Sequence, residues 1–473
     1  MTRVRAVAAA VVLLLAAQLT ALASYERSDD ERRSLERAAA EATAERPLVG
    51  AHYHLWYPEN FEQGFLRSRL VPPQEPALGR YRSDDVAVAE QHIAWASAHG
   101  IDFFTLDWWP THPERNANAL EGFLQADNVD DVSFCIFYET WDLGFVPPRE
   151  ATPLTAAAVD RFLTDMDDIA TRFFDHPSYL RIDGRPVVVL YLSRTLTGDV
   201  ASAMAKAREA LRARGFDVFF IGDEVFWPAP RRPPQPDRMR LFDAITAYNL
   251  YEFERPEQRG YPAQSSLVRD QVALYQQHAA AVGGQVPIVP SVFPGYNDRG
   301  VRPSRGHYAV PRRWSPGDPE GSTLRQMIAL VARPLIDPRA PLMFVTSWNE
   351  WNEDTAIEPL APAPETARDD SPSGTGFTEG YAYGGGATQI EALRDEVVAV
   401  AGVVTDDGDA EPGVRVEARQ GGRLVDADVT DHRGRYTLSR WLVGAGPVTV
   451  SALGVRASAT VTPQVTALVD LAA

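Results

Sequence analysis

Eight short apolar runs rich in β-formers constrain this chain more than any other feature: "LVGAHYHLW" (48 to 56), "DFFTLDWW" (102 to 109), "VSFCIFYE" (132 to 139), "VVVLYLS" (187 to 193), "DVFFIGDE" (217 to 224), "AITAYNLYE" (244 to 252), "VPIVPSVFPG" (286 to 295) and "PLMFVTSWNEW" (341 to 351). Helical patterns lie between them, such as "DVAVAEQHIAWASAHG" ending on Gly100 and "VASAMAKAREALRARG" ending on Gly215, where glycine stops the helix. Strands alternating with helices build a parallel sheet, and eight of them over about 350 residues fit a (β/α)8 TIM-type barrel, a fold of ~200 to over 400 residues. The seventh run is the weakest, because Pro287 and Pro290 bring no amide hydrogen to the ladder.

Most runs start apolar and end polar or aromatic: His52, His54 and Trp56; Asp107 and Trp108; Tyr138 and Glu139; Tyr191; Asp223 and Glu224; Tyr248 and Tyr251; Tyr296; Asn349 and Glu350. In a barrel these C-terminal ends share one face, the face that carries active sites. After residue 396 the texture changes to short alternating strands with frequent turn residues, the pattern of a small β-sandwich. The fold class expected is therefore α/β, a (β/α)8 barrel over 46–396 followed by an all-β accessory domain over 397–473.

The first residues, "MTRVRAVAAAVVLLLAAQLTALAS", carry Arg3 and Arg5, an apolar stretch, and Ala21-Leu22-Ala23 as a small-x-small cleavage site. They read as an export signal over 1–23, so a secreted or cell-surface location is expected; left uncleaved, the segment would be a membrane anchor. Residues 24–45 are charged and Ala-rich, a tether or a short solvated helix. The formal charge of −18 opposes phosphate backbones and anionic membranes, so no nucleic-acid partner is expected. Cys135 is the only cysteine, which excludes an intramolecular disulfide and a cysteine-based metal cluster.

The stretch "TSWNEWNEDTAIEP" (346 to 359) follows the eighth run and sets Glu350 and Glu353 three residues apart. On a helical turn such a pair lies on one side, and mutual repulsion raises one pKa, separating an acid from a base. Glycoside cleavage needs that division: one carboxyl protonates the leaving oxygen while the other assists attack at the sugar carbon. The plainer alternative has Glu353 capping the following turn and Glu350 paired with an arginine. Trp348, Trp351, Trp56, Trp108, Trp109 and Trp141 fall at or just past strand ends, where flat rings would make platforms for sugars. His52 and His54 point to one face of a strand but lack a clear third metal ligand, and Asn297 and Asp298 lack the spacing of a calcium loop. Neither a metal nor another cofactor is expected.

The motifs "HYHLWYPE", "HGIDFFTLDWW", "FYET", "HPSYLRIDGRPVVVLY", "PSVFPGYNDRGVRP" and "TSWNEWNEDTAIEP" resemble those of glycoside hydrolase family 99, the endo-α-mannosidases and endo-mannanases, over roughly residues 48 to 360. A related branch, often described as family-99-like or as polysaccharide-biosynthesis proteins, shares the asparagine-glutamate-tryptophan stretch. The resemblance implies a (β/α)8 barrel that cleaves within α-mannose-containing glycans, with retention and without a metal. It implies that Glu350 acts as a base on the substrate's 2-hydroxyl and that Glu353 protonates the leaving oxygen and later activates water. Glu139 matches the family's further acidic contact. The resemblance also puts Tyr191, Tyr248, Tyr296 and Arg302 against the sugar, and Trp56, Tyr57, Trp108, Asn349 and Trp351 are candidate substrate contacts beside them. Two departures stand out: Asn352-Glu353-Asp354 where the family usually has His-Glu-Gly, and Thr140 after Glu139 where the family has proline. The C-terminal stretch resembles the carboxypeptidase regulatory-like domain through "AGVVTDD", "GVRV" and "TDHRGRYTLSRW".

The expected function is thus an exported retaining glycoside hydrolase acting on α-mannosidic or similar bonds in a polysaccharide. A non-catalytic glycan-binding surface protein and a sugar transferase using the same carboxylates are the alternatives. The sugar, the linkage and the oligomeric state are left open.

Overall fold

In a computed structural model of the chain, the described residues are 46–63, 67, 70–147, 151–227, 233–251, 264–298, 300–302, 309–366, 368–369 and 384–473. The export segment and charged stretch expected over 1–45 lie outside them, as does most of the polar, Gly-rich segment 365–386. The described chain divides into two units, one of Pro47–Ala399 with Gln464–Thr466, the other of Arg46, Val400–Pro463 and Ala467–Ala473.

The first unit is a barrel. Its strands are β1 (Leu48–Tyr53), β2 (Phe103–Trp108), β3 (Ser133–Glu139), β4 (Arg185–Tyr191), β5 (Phe219–Asp223), β6 (Ala244–Thr246), β7 (Ser291–Val292) and β8 (Leu342–Val345). They lie in the order β6-β5-β4-β3-β2-β1-β8-β7, every pairing parallel. The ring closes between β6 and the approach to β7 through a parallel bridge, Ile245 to Ile288. The two prolines explain why β7 is so short. Neither can donate, yet their carbonyls accept, Pro287 from the Ile245 amide at 3.0 Å and Pro290 from the Phe344 amide at 2.9 Å.

Helices pack outside the ring, among them α1 (Val86–Ala98), α2 (Pro113–Glu121), α3 (Ala156–Phe173) and α4 (Val200–Ala213). Asp85, Thr155 and Asp199 cap the N-termini of α1, α3 and α4, each side chain accepting a first-turn amide. Phe162, Met166, Ile169 and Phe173 of α3 are buried against the sheet, each such side chain contributing roughly 1.5–3 kcal/mol. Helices on the outside and packed side chains within leave the strands buried on both faces, hence their continuous apolar sequence. Gly50 permits one close approach, since a Cβ there would lie 2.2 Å from the Phe103 ring.

Strand alternation decides which end residues reach the barrel mouth. Asp107 and Glu139 point inward. Trp108 and Tyr138, their neighbours, point outward under α3: Trp108 meets Phe173 edge-on at 5.7 Å, and Tyr138 donates to Asp165 at 2.8 Å. Trp108 is therefore part of the helix–sheet interface and not of the mouth, which corrects the expectation that it contacts substrate.

In the second unit, β9 (Arg415–Gln420), β10 (Arg423–Val429), β12 (Gly446–Ala452) and β13 (Val455–Val461) form an antiparallel sheet in the order β10-β9-β12-β13. A second sheet contains β11 (Arg435–Ser439) and the strand Val398–Asp406. Val416, Ala418, Val448 and Val450, with Tyr436 and Leu438 from β11, are buried in its core.

Candidate active site

The loop that leaves β8 is held by its own backbone and by β1. Trp348 donates its amide to the His52 carbonyl at 2.8 Å, Ser347 to Thr355 at 2.9 Å, and Ile357 back to Ser347 at 3.0 Å. This places Glu350 and Glu353 on one tight turn. The Glu350 amide is anchored by the Ser347 hydroxyl at 2.8 Å, and its Oε1 accepts from the amides of Asn352 at 2.9 Å and Glu353 at 3.3 Å. Glu350 is only 5% exposed. Burial, reinforced by the charge of Glu353 and opposed by His54 and the two amides, raises its carboxyl to about 7.

Glu353 is the more accessible of the two at 16%. Its Oε1 accepts from Arg302 Nη1 at 2.9 Å and its Oε2 from the Tyr251 hydroxyl at 2.7 Å. A guanidinium only donates, so a proton on Glu353 would sit on Oε2, shared with Tyr251. The arginine of this site thus serves Glu353, whereas the plainer sequence reading gave it to Glu350. Tyr296 stacks on Tyr251 with ring centroids 4.4 Å apart, backing the phenol that faces Glu353.

A third carboxyl comes from the end of β3. Glu139 is 2% exposed and its Oε2 has no hydrogen-bond partner among the described residues. Burial, with Asp107 beside it, pushes Glu139 well above the usual carboxylate range. Asp107 accepts from the Leu55 amide at 2.8 Å and the Trp109 indole at 2.9 Å, and lies 3.4 Å from His54 Nδ1. His54 stacks on Trp56, centroids 4.2 Å apart and planes 6° apart, and its Nε2 meets the Tyr248 hydroxyl at 3.0 Å. Tyr191 and Tyr248 pack edge to face at 4.9 Å. Both phenols are raised well above their ordinary value by burial and then by nearby carboxylates, Glu139 and Glu353 for Tyr191, Glu350 and Glu353 for Tyr248. Glu139, Tyr191, Tyr248, Glu350, Glu353 and Arg302, distant in sequence, thus converge. Asp107, His54 and Tyr251 belong with them. The sequence places these three at strand ends, with nothing in their spacing that assigns them to the site.

Several other candidates prove to be supports. Asn349 is fully buried, accepting from the His54 amide at 2.8 Å and donating to the His54 carbonyl at 3.0 Å and the Tyr81 hydroxyl at 3.2 Å. Tyr57, 2% exposed, donates its hydroxyl to the Asn349 carbonyl. Trp351, expected as a sugar platform, has no exposed surface: it packs among Tyr57, Phe61, Tyr81 and Leu360 and donates to Glu358 at 3.1 Å. Trp348 is likewise fully buried. The reason is that the loop turns back into the protein, so a tryptophan one residue from an active carboxyl faces the core. Trp56 and Trp141 keep partial exposure.

The extra carboxylate of the "NEDT" stretch, Asp354, is also accounted for. It is fully buried at φ +54°, with Oδ1 2.6 Å from Arg67 Nε, and Arg312 donates to its carbonyl at 2.7 Å and to that of Ala356 at 2.9 Å. A left-handed backbone position suits glycine; here an aspartate adopts it with its side chain tied to two guanidinium groups. His52 is a core residue, its Nδ1 2.6 Å from the Thr105 hydroxyl, with burial holding it well below its ordinary value and therefore neutral. Among the described residues no group of His, Cys, Asp and Glu is arranged to hold a metal ion.

Residues 70–364, well over half of the chain, match the sequence family described as Glycosyltransferase WbsX. The chain belongs to this family. This WbsX-family chain is also 23% identical, over 323 residues, to a glycoprotein endo-alpha-1,2-mannosidase-like protein of Danio rerio, the match covering 64% of each. It therefore spans just under two thirds of that relative. Among solved structures, a glycoside hydrolase-like protein superposes with a TM-score of 0.56 at 18% identity, covering 74% of this chain and 94% of that one. The GH99 endo-alpha-mannosidase from Bacteroides thetaiotaomicron superposes with a TM-score of 0.50 at 20% identity, covering 73% of this chain and 95% of that one. The WbsX-family barrel is thus of the family-99 kind in fold.

Proposed function

We propose that this protein is an exported glycoside hydrolase that cleaves α-mannosidic or similar bonds within a polysaccharide, using Glu350 and Glu353 as its acid–base pair. The observation that carries the reading is the pair itself: a buried Glu350 raised to about 7, one turn from a Glu353 oriented by Arg302 and Tyr251. Two carboxyls that divide one proton between them at neutral pH are what glycoside cleavage needs. The likeness to an endo-alpha-1,2-mannosidase-like protein supports α-linked mannose as the sugar, and the N-terminal sequence pattern supports export.

At rest the proton of the pair is held by Glu350, whose carboxyl is the raised one; the reaction draws on the minor form in which it sits on Glu353 Oε2 and Glu350 is ionised, and from Oε2 it passes to the leaving glycosidic oxygen. Ionised Glu350 then draws the proton from the sugar's 2-hydroxyl, which attacks the anomeric carbon to form a 1,2-anhydro sugar. Glu353, now ionised, takes a proton from the water that attacks the anomeric carbon and opens the anhydro ring, while Glu350 returns its proton to the 2-oxygen, giving net retention and restoring both carboxyls. Tyr251 and Arg302 keep Glu353 aimed throughout. Glu353→Gln tests this. With a panel of α-mannans and other glycans, the wild type should release fragments identifiable by mass, and the variant should still bind but turn over at least a thousandfold more slowly. Fragments released equally by both would refute the role of Glu353.

The family description favours one second reading, transfer of the cleaved sugar to another glycan. Water as sole acceptor separates the two, because a hydrolase turns over in it and an obligate transferase does not.

A further inference from the structure

At the rim, one guanidinium makes no side-chain hydrogen bond or salt bridge among the described residues. Arg115, on the first turn of α2, lies with its guanidinium carbon 4.4 Å from the ring centroid of Trp109 and 5.9 Å from that of Trp56. It is partly exposed, and no hydrogen bond or ion pair engages its side chain among the described residues. Two other arginines near the mouth are committed: Arg302 to Glu353 and Asp298, Arg194 to Asp223 and Asn249. The two indoles beneath Arg115 are themselves part of the mouth. Trp109 donates to Asp107 and meets Trp141 edge-on at 5.5 Å, and Trp56 stacks on His54. The charge of Arg115 is felt by Glu139, the buried carboxyl with an unpartnered oxygen at the same end of the barrel.

We infer that Arg115 is a specificity residue that recognises an anionic substituent on the glycan, so that the preferred substrate is an acidic polysaccharide. The inference rests on the glycosidase reading for its substrate class. A guanidinium held over the Trp109 ring, with the Trp56 ring 5.9 Å away, keeps N–H groups for the forked oxygens of a carboxylate, phosphate or sulfate. With a formal charge of −18 and carboxyls gathered at the mouth, the protein repels an acidic chain unless a cation meets it at the site. A neutral glycan would leave the N–H groups of that guanidinium without an anion to receive them. The chemistry common to a uronate, a phosphorylated sugar and a sulfated sugar is a forked anion a few ångströms from the ring, and the test separates them.

The experiment compares neutral α-mannan with three anionic α-mannans bearing glucuronate, phosphodiester or sulfate groups. Binding is measured by calorimetry and cleavage by fragment mass, for the full chain, Arg115→Gln and Arg115→Lys. The wild type should prefer at least one anionic polymer over neutral mannan by tenfold or more. Arg115→Gln should reduce that preference at least tenfold through KM rather than kcat, Arg115→Lys should restore only part of it, and raised salt should weaken it. Which polymer is preferred identifies the anion. Equal binding of neutral and anionic polymers by the wild type, binding of no anionic polymer, or a preference untouched by Arg115→Gln overturns the inference. An anionic preference in binding without cleavage of any polymer would leave it standing and strike the glycosidase reading alone.

Discussion

Arg302 Nη1 lies 2.9 Å from Oε1 of Glu353 and equally 2.9 Å from Oδ2 of the buried Asp298, so one nitrogen ties the more accessible member of the carboxyl pair to a fixed anchor. Charge-assisted bonds of this kind contribute about 1.5–3 kcal/mol, which corresponds to roughly 10- to 100-fold in rate if the geometry matters mainly at the transition state. Arg302→Gln should therefore lower kcat by about that factor. Steady-state kinetics on any cleaved glycan checks this, and a change confined to KM would show that Arg302 serves substrate binding instead.

Glu350 makes a stability prediction of definite sign. A carboxyl whose pKa rises from 4.5 to about 7 on folding binds its proton more tightly in the folded state, so the protein loses stability as pH climbs between those values. Glu350→Gln removes the loss while keeping an acceptor for the Asn352 and Glu353 amides. The variant should be more stable than wild type by roughly 2–3 kcal/mol at pH 8 and no more stable at pH 4. Thermal melts at the two pH values measure the difference, and a variant no more stable at pH 8 would mean that Glu350 is ionised at no cost.

The tryptophans separate by exposure. Trp351→Ala removes a fully buried indole and leaves Glu358 short of a donor, so it should cost about 3–5 kcal/mol and lower the Tm sharply. Trp56→Ala, at the partly exposed rim, should instead raise KM for a glycan severalfold with a much smaller change in Tm. Melting curves and kinetics on both variants decide this, and the reverse pattern would place the sugar platform at Trp351.

Asp354 is the fixed point of the loop. Asp354→Ala would leave Arg67 and Arg312 buried without their shared carboxylate, an effect of about 3–5 kcal/mol, and would free the turn that carries Glu353. Stability and kcat should fall together. If kcat falls while the Tm holds, Asp354 has a direct chemical role.

The barrel was legible because parallel strands buried on both faces are continuously apolar, and eight such runs recur. The seventh was correctly the weakest, and its prolines take part only through their carbonyls. The carboxyl pair was legible from its spacing after the eighth strand. What the sequence could not show is which way a residue faces once a strand ends. Trp108 and Trp351 sit beside inward-facing acids yet point into the core, because one residue of alternation or one re-entrant turn reverses the direction. Nor could it show that Asp354 is matched by Arg67 and Arg312, since ion partners 287 and 42 residues away leave no local pattern.

Glu350 and Glu353 share one catalytic proton, held at rest by Glu350, whose carboxyl burial and the charge of Glu353 raise to about 7. The most direct measurement is the pH dependence of kcat/KM on a cleaved glycan. The account predicts an alkaline limb with a midpoint near 7, falling tenfold per pH unit above it as the doubly ionised pair loses its acid. A rate that stays level or rises from pH 7 to pH 9 would contradict it.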